Sequence, residues 1–406
     1  MKVVKSDSTA VAEPLAAPPR WLVLLLATAT GLNAGNLYYA QPLLAVIEHT
    51  FRVGAGAAGA VVTAAQLGYV AGMVLLVPLG DRVERRELVS VLLVISTAGL
   101  AVAGLAPAFW VLVAGSLATG VTSVVAQILL PFAADLSPER LRGRIVGQVV
   151  SGLLIGILLS RTAGSLLADV TSWRVVYLVA AGLMALLAVA LRLALPRHPP
   201  STGLPYRQLL ASTARLLRDH PPLRRRALYQ ATMFGTFSAF WTTIAFVLTS
   251  PPFGYSQLAI GLFALVGAGG AVIAPAAGRL ADRGLGGRLS GVAFALAALS
   301  WALSWAGRRE VVLLCLAAVV LDMAVQASLV FGQHVIYRLD PAARSRVNSV
   351  YIATFFLGGA LGSQAGALAY HMGGWDAVCV TGAVLPAASL AWWAADAWRG
   401  ASRRPG

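Results

Sequence analysis

Long apolar stretches alternate with short polar, arginine-bearing ones along almost the whole chain. A helix needs about 20 apolar residues to cross the hydrocarbon core of a bilayer. Twelve stretches approach or exceed that length. They fall at 21–47, 57–79, 88–105, 109–133, 145–167 and 173–195, then at 228–249, 258–280, 289–306, 311–335, 347–370 and 378–395. The pattern predicts an all-α membrane protein with twelve transmembrane helices in two six-helix bundles. Residues 1–20 read as a disordered cytoplasmic tail, 21–195 as the first bundle and 196–226 as a cytoplasmic linker. Residues 227–396 read as the second bundle and 397–406 as a second cytoplasmic tail. The first stretch is too long, and too polar in its middle, for a cleaved signal peptide.

Composition removes the soluble alternatives. Hydrophobic residues make up 58% of the 406 positions, charged residues 12%, and the mean hydropathy is +0.77. Soluble domains carry roughly 25% charged residues. Only Cys315 and Cys379 are available, so no disulfide framework or cysteine zinc site is expected. The only lysines, Lys2 and Lys5, lie in the tail, so no Walker-type phosphate loop exists. The net charge of +15 comes almost wholly from arginines clustered between apolar stretches, not spread over a nucleic-acid-binding face. With both termini cytoplasmic, 26 Lys and Arg fall inside and four (Arg52, Arg174, Arg308, Arg309) outside. The positive-inside rule therefore places both ends in the cytoplasm of a plasma-membrane protein.

The halves repeat. Leu79-Gly80-Asp81-Arg82 recurs as Leu280-Ala281-Asp282-Arg283 at an offset of 201. Leu136-Ser137-Pro138 recurs as Leu339-Asp340-Pro341 at 203, and Arg142 and Arg144 as Arg344 and Arg346 at 202. Gly156, Gly164 and Trp173 recur as Gly358, Gly366 and Trp375, again at 202. A six-helix unit duplicated in parallel is one of the repeat symmetries of secondary transporters.

With these residues in view, the whole chain resembles the major facilitator superfamily. The most specific element is Pro78-Leu79-Gly80-Asp81-Arg82-Val83-Glu84-Arg85-Arg86, against a family pattern Gly-x-Leu-Ala-Asp-Arg-x-Gly-Arg-Arg/Lys. Val77 and Glu84 stand where the family prefers glycine. The second copy, Gly278-Arg279-Leu280-Ala281-Asp282-Arg283, fits the first half of the pattern better. The family's fourth-helix arginine, associated with proton coupling in drug antiporters, falls at Ser116 and is absent. The stretch 152–173, with Arg161 inside it, resembles a poorly characterised bacterial branch. The resemblance implies two pseudo-symmetric bundles and alternating access, without naming a substrate.

Four groups of residues carry candidate chemistry. Asp81, Arg82, Arg85 and Arg86, with Asp282 and Arg283, form a gating motif: either Asp81 latches onto a helix N-terminus of the other half, or the loops are solvated turns. A carboxylate at such a terminus gains about 0.3–1 kcal/mol. Small residues at four-residue spacing (Gly152, Gly156, Ser160, Gly164; Thr354, Gly358, Gly362, Gly366) form ridges. They let helix backbones approach, either as static packing or, as the resemblance implies, where the halves slide. Polar faces on helices one, four, seven and ten are expected to wall a cavity, because polar groups facing lipid are costly. The candidates are Asn33, Asn36, Tyr39, Ser123, Gln127, Gln230, Phe234, Phe237, Trp241 and Gln326. Finally, Arg161 and Asp322 are the only two charges deep in helices. A lone charge at the bilayer centre costs about 2.5–3.5 kcal/mol, so the two are candidate partners, and a contact made and broken would serve proton coupling.

The five histidines (His49, His198, His220, His334, His371) show no ligand spacing, so no metal or other cofactor is expected. No hydrolase signature is present, and enzymatic activity is not expected. The leading expectation is a monomeric secondary active transporter moving a small organic solute, with proton-coupled efflux ahead of uptake symport. Its partners are then the solute, protons and the lipid bilayer, with no nucleic acid. A receptor or enzyme on the same fold is the remote alternative.

Overall fold

The computed structural model describes residues 17–197, 205–340 and 344–401. The first half runs through α1 (Arg20–Gly35), α2 (Leu44–Phe51), α3 (Ala55–Ala58), α4 (Ala60–Leu75), α5 (Arg85–Gly104), α6 (Phe109–Thr122), α7 (Val125–Asp135), α8 (Glu139–Val170) and α9 (Trp173–Ala194). A linker helix follows, α10 (Tyr206–Asp219). The second half runs through α11 (Pro221–Thr249), α12 (Gln257–Ala264), α13 (Ala268–Asp282), α14 (Gly286–Ala306), α15 (Val311–Ile336) and α16 (Arg344–Ala401).

Among the described residues ten helices are long and apolar enough to cross a membrane. One of them, Arg346–Arg399, spans 54 residues. At 1.5 Å per residue that is more than twice the hydrocarbon thickness. It reverses at Gly373 and Gly374, where Gly374 has φ 63°, a conformation that favours glycine. It therefore makes two passes. Residues 20–51 make one more, broken between α1 and α2. The total is twelve, six in each half.

The expected first helix, 21–47, is not continuous. Residues 36–40 form turns, and Pro42 sits in the short 3-10 segment Gln41–Leu43. The fourth pass also breaks, between α6 and α7, and the eighth between α12 and α13. Backbone groups freed inside hydrocarbon are tolerated only where protein covers them. Accordingly Asn33 Oδ1 accepts from the Ala126 N–H, tying the first break to the fourth-pass break (3.3 Å).

The described residues of the expected linker, 196–226, are mostly helical. α10 occupies its centre, and α11 starts at Pro221, so Arg224, Arg225 and Arg226 already lie on a helix. Arg225 pairs with Asp396 at 3.1 Å and Arg226 donates to Ser290 Oγ at 2.8 Å, anchoring the start of α11 to its own half. The Tyr206 hydroxyl of α10 donates to the Leu75 carbonyl of the first half (2.6 Å).

The small-residue ridges hold each half together. A Cβ added at Gly152 or Gly156 on α8 would overlap backbone atoms of Ala27 or Gly31 on α1. The second half repeats this crossing: Gly358 and Gly362 on α16 meet Ala231 and Gly235 on α11. Gly68 on α4 and Gly120 on α6 do the same for that pair. In this conformation these ridges serve pairings within a half, not a sliding surface between halves. Their spacing reveals that a face is narrow but not which helix it meets.

The halves touch elsewhere. α8 packs on α12 at the end remote from the arginine-rich loops, where a Cβ at Gly261 would lie 2.7 Å from Ser165 Cβ. At the same end α4 packs on α16, with Gly59 against Ala367. Gln364 Nε2 donates to Gly56 O at 2.9 Å, and Thr63 Oγ1 donates to Gln364 Oε1 at 3.2 Å. Toward the arginine-rich end a Cβ at Gly143, Gly147 or Gly278 meets nothing within 4 Å. The halves are thus in contact at the arginine-poor end.

Gly156→Ala should destabilise the purified protein by about 1–3 kcal/mol, as overpacking does. Gly147→Ala on the same helix should be neutral or gain up to ~1 kcal/mol from helix propensity. Denaturant titration in mild detergent reads both; equal effects would contradict the assignment of the ridge to α1. A second comparison concerns the closed end. Gln364→Ala removes two neutral hydrogen bonds between the halves, together about 1–3 kcal/mol. Spin labels at Arg52 and Arg309, in opposite halves, should then show a larger fraction of long distances. An unchanged distribution would mean these bonds do not hold the end shut.

Candidate functional site

The two charges buried in the membrane are brought to one place. Arg161 on α8 is 3% exposed and Asp322 on α15 is 5% exposed. They come from opposite halves and both contact Trp241 on α11, Asp322 at the indole N–H and Arg161 over the ring. The Trp241 indole N–H donates to Asp322 Oδ1 at 3.0 Å. The Arg161 guanidinium carbon lies 4.5 Å from the centroid of the Trp241 ring, 4.9 Å from that of Tyr38 and 5.4 Å from that of Phe237. Cation–π contacts reach about 2 kcal/mol or more when desolvated. Arg161 Nε donates to Gln41 Oε1 at 2.9 Å. Among the described residues Arg161 and Asp322 do not form a direct ion pair; the indole serves both.

Helix breaks make this convergence geometrically feasible. Gln41 reaches Arg161 from the 3-10 segment where the first pass is interrupted. Gly267 ends the break between α12 and α13 and lies against the cluster. A Cβ there would come within 2.9 Å of Asp322 Oδ2, 3.2 Å of Trp241 Cζ2 and 3.6 Å of Arg161 Nη1. Any side chain at Gly267 would have to displace the carboxylate or the indole.

The other polar and aromatic candidates spread along the boundary between the halves. Phe234 stacks on Phe355 with ring centroids 3.7 Å apart and on Phe237 at 5.2 Å. Gln230 is fully buried and donates to Val325 O at 3.4 Å. Gln127 Nε2 donates to the Tyr69 hydroxyl at 3.1 Å, and Tyr69 packs on Phe356 of the other half at 4.2 Å. Asn36 is buried, and neither its Nδ2 nor its Oδ1 has a partner. Ser123 turns back onto its own helix and donates to Thr119 O at 2.8 Å. Gln326 is half-buried on α15. Tyr39 lies on another face: it packs beside Gly164 and lines a lateral groove of about 590 Å³ between α1, α8 and α9.

The loop motifs show a third arrangement. Arg85 pairs with Asp135 at 2.6 Å and donates to Gly80 O at 3.3 Å, contacts within the first half. Asp282 pairs with His334 at 3.5 Å, within the second half. Arg82 and Arg283 are exposed and Arg86 is half-buried. The side chain of Asp81 lies outside the described residues. No group of three or more His, Cys, Asp or Glu able to hold a metal occurs among the described residues.

Sequence reasoning passed over Gln66, Gln364 and Asp135. Gln66 is fully buried and donates to Ser238 Oγ of the other half at 3.1 Å. Its signal was available: it is the only amide in the apolar stretch 57–79.

Known proteins are similar to this chain along most of its length. The sequence profile described as the Major Facilitator Superfamily matches residues 26–332. The "Uncharacterized transporter YgaY" of Escherichia coli O157:H7 is 44% identical over 94% of this chain and 96% of that protein. The "Probable transporter SCO4007" of Streptomyces coelicolor is 36% identical over 92% and 87%. Among solved structures, a bacterial homologue of the human lysosomal transporter Spinster superposes with a TM-score of 0.72 at 15% identity. It covers 92% of this chain and 95% of that one, a likeness of fold.

Proposed function

From the premise that the chain belongs to the Major Facilitator Superfamily and is a multi-pass membrane transporter, not an enzyme, we propose proton-coupled efflux of a small organic solute. The solute is amphipathic or aromatic, since amides and stacked rings line the boundary between the halves. Transport proceeds by alternating access, with the arginine-rich end and both termini in the cytoplasm of the plasma membrane. The protein acts as a monomer. The excess of arginine at one end supports that orientation. The open faces at Gly143, Gly147 and Gly278 would then lie toward the cytoplasm, where an exported solute would enter.

The observation that carries the coupling is the Arg161–Trp241–Asp322 cluster. One charge comes from each half, so rocking of the halves changes their separation. Asp322 is the proton-carrying group, and Arg161 is the charge whose approach or withdrawal alters its proton affinity. Trp241 contacts both groups in the present conformation. Asn33, Asn36, Ser123, Gln127, Gln230, Phe234, Phe237 and Gln326 supply the solute path. Tyr39 faces the lateral groove and does not join that path here. The gating residues Asp81, Arg82, Arg85, Arg86, Asp282 and Arg283 close the cytoplasmic end when it shuts, with Asp81 as the latch between halves.

The test is Asp322→Asn in reconstituted vesicles with an imposed pH gradient. The variant should lose gradient-driven solute accumulation and retain exchange at equal pH. Wild-type accumulation and gradient dependence in the variant would overturn the coupling role. Asp81→Asn, assayed at equal expression, should slow transport without reducing membrane insertion; an unchanged rate would remove the latch.

A further inference from the structure

The start of α12 is held from the other half. Its N-cap is Ser256, whose hydroxyl oxygen accepts from the Ala259 N–H at 3.4 Å. The neighbouring Leu258 N–H donates to Asp169 Oδ1 at 3.1 Å. Asp169 stands near the end of α8, in the first half. Beside this bond Gln257 Nε2 donates to Pro42 O, also in the first half, at 2.6 Å. The first turn of α12 carries no acidic residue of its own. The first amides of a helix lack intrahelical partners and concentrate positive partial charge, so a carboxylate is favourable there. Here the carboxylate comes across the boundary.

The duplication supplies a comparison. Asp169 precedes His371 by 202 residues, and Gly54 precedes Ser256 by 202. Gly54 is the N-cap of α3, and a Cβ there would lie 2.9 Å from His371 Cε1. A long helix of one half thus meets a helix start of the other half twice, once in each direction. In the α16–α3 meeting an imidazole stands where α8 has its carboxylate. The crossing therefore forms without a carboxylate, and Asp169 is an addition to it.

We propose that Asp169 is a positioning residue of the transport cycle, a latch that caps α12 across the boundary and biases the halves toward contact at the arginine-poor end. The bond has one end on each half, so it exists only while that end is together. Asp81 has the corresponding part at the arginine-rich end in the reading above. Both carboxylates belong to the first half, and each favours contact at its own end of the molecule. The role in transport rests on alternating access as read above; the bond between the halves does not.

The test reads the position of the halves in purified full-length protein in detergent, without solute or pH gradient. Its failure is then separable from failure of the coupling role of Asp322. Cys315 and Cys379 are replaced by alanine, and spin labels are placed at Ala108 and Arg309, exposed positions in opposite halves. Asp169→Ala should raise the ratio of long to short distances about two- to fivefold, the effect of losing a carboxylate at an exposed helix N-terminus. Asp169→Asn, which keeps an acceptor without the charge, should give a smaller shift in the same direction. Asp169 is exposed, so both variants should fold. Combining Asp169→Ala with Ser256→Asp separates a latch from plain helix capping, because an aspartate at the N-cap returns a carboxylate to α12 from its own half. The melting temperature of this double variant should match the wild type while its distances stay shifted. Wild-type distances in Asp169→Ala, or a return to them in the double variant, would overturn the proposal.

Discussion

A guanidinium buried in hydrocarbon cannot be left without partners, and the boundary between the two halves is organised around that requirement. Arg161 belongs to the first half, yet two of the ring faces that receive it, Trp241 and Phe237, belong to the second. Trp241 in turn holds Asp322. Separating the halves at this level would strip the guanidinium of those faces. Closing them differently would bring it onto the carboxylate. The charge thus makes the relative position of the halves an energetic variable, where an all-apolar boundary would leave it nearly indifferent.

Within each half the situation is opposite. The crossings of α1 with α8 and of α11 with α16 bring backbones into contact at glycine, with no side chain between them. Contacts of that kind have no soft element to compress. The contacts between halves are of another type: amide and hydroxyl hydrogen bonds at Gln66, Thr63 and Gln364, and aromatic rings at Tyr69 and Phe356. Each is worth about a kcal/mol net. Rigid bodies joined by a modest number of weak directional bonds are what rocking about a central site requires.

This division was only partly readable from the chain. The apolar stretches, the arginine imbalance and the repeat offsets were sufficient for twelve passes in two bundles, because lipid imposes length and polarity rules on every span. Arg161 and Asp322 stood out for the same reason, as the only two charges at depth. Facing was harder. The four-residue spacing of Gly152, Gly156 and Gly164 shows that one face is narrow, but Gly152 and Gly156 meet α1, which spacing alone does not reveal. Tyr39 follows two asparagines, yet the broken first pass turns its ring toward α8 and α9. The breaks themselves were invisible to hydropathy, since residues 36–40 read as a mildly polar helix. The polar character of that segment was in fact the trace of a backbone that leaves the helix and needs cover.

The duplication explains how the charged cluster could be placed on a conserved scaffold geometry. Asp322 stands 202 residues after Gly120, the offset that relates the halves at Gly156 and Gly358. In the first half, Gly120 and Gly68 let α6 and α4 approach so closely that a Cβ at either would overlap the partner backbone. In the second half only one glycine of this pair remains, Gly270, and a Cβ there would sit 3.2 Å from Asp322 O. The helices stand slightly further apart, and the position vacated by glycine carries a carboxylate. Arg161 has its counterpart at Ser363, which bonds to Thr242 at 3.0 Å much as Arg161 reaches Gln41. Each half therefore carries one charge where the other has a small residue, Arg161 against Ser363 and Asp322 against Gly120. A symmetric pair of charges would repel or neutralise within each half. Only this broken symmetry puts a cation on one body and a carboxylate on the other, where motion between the bodies can act on both.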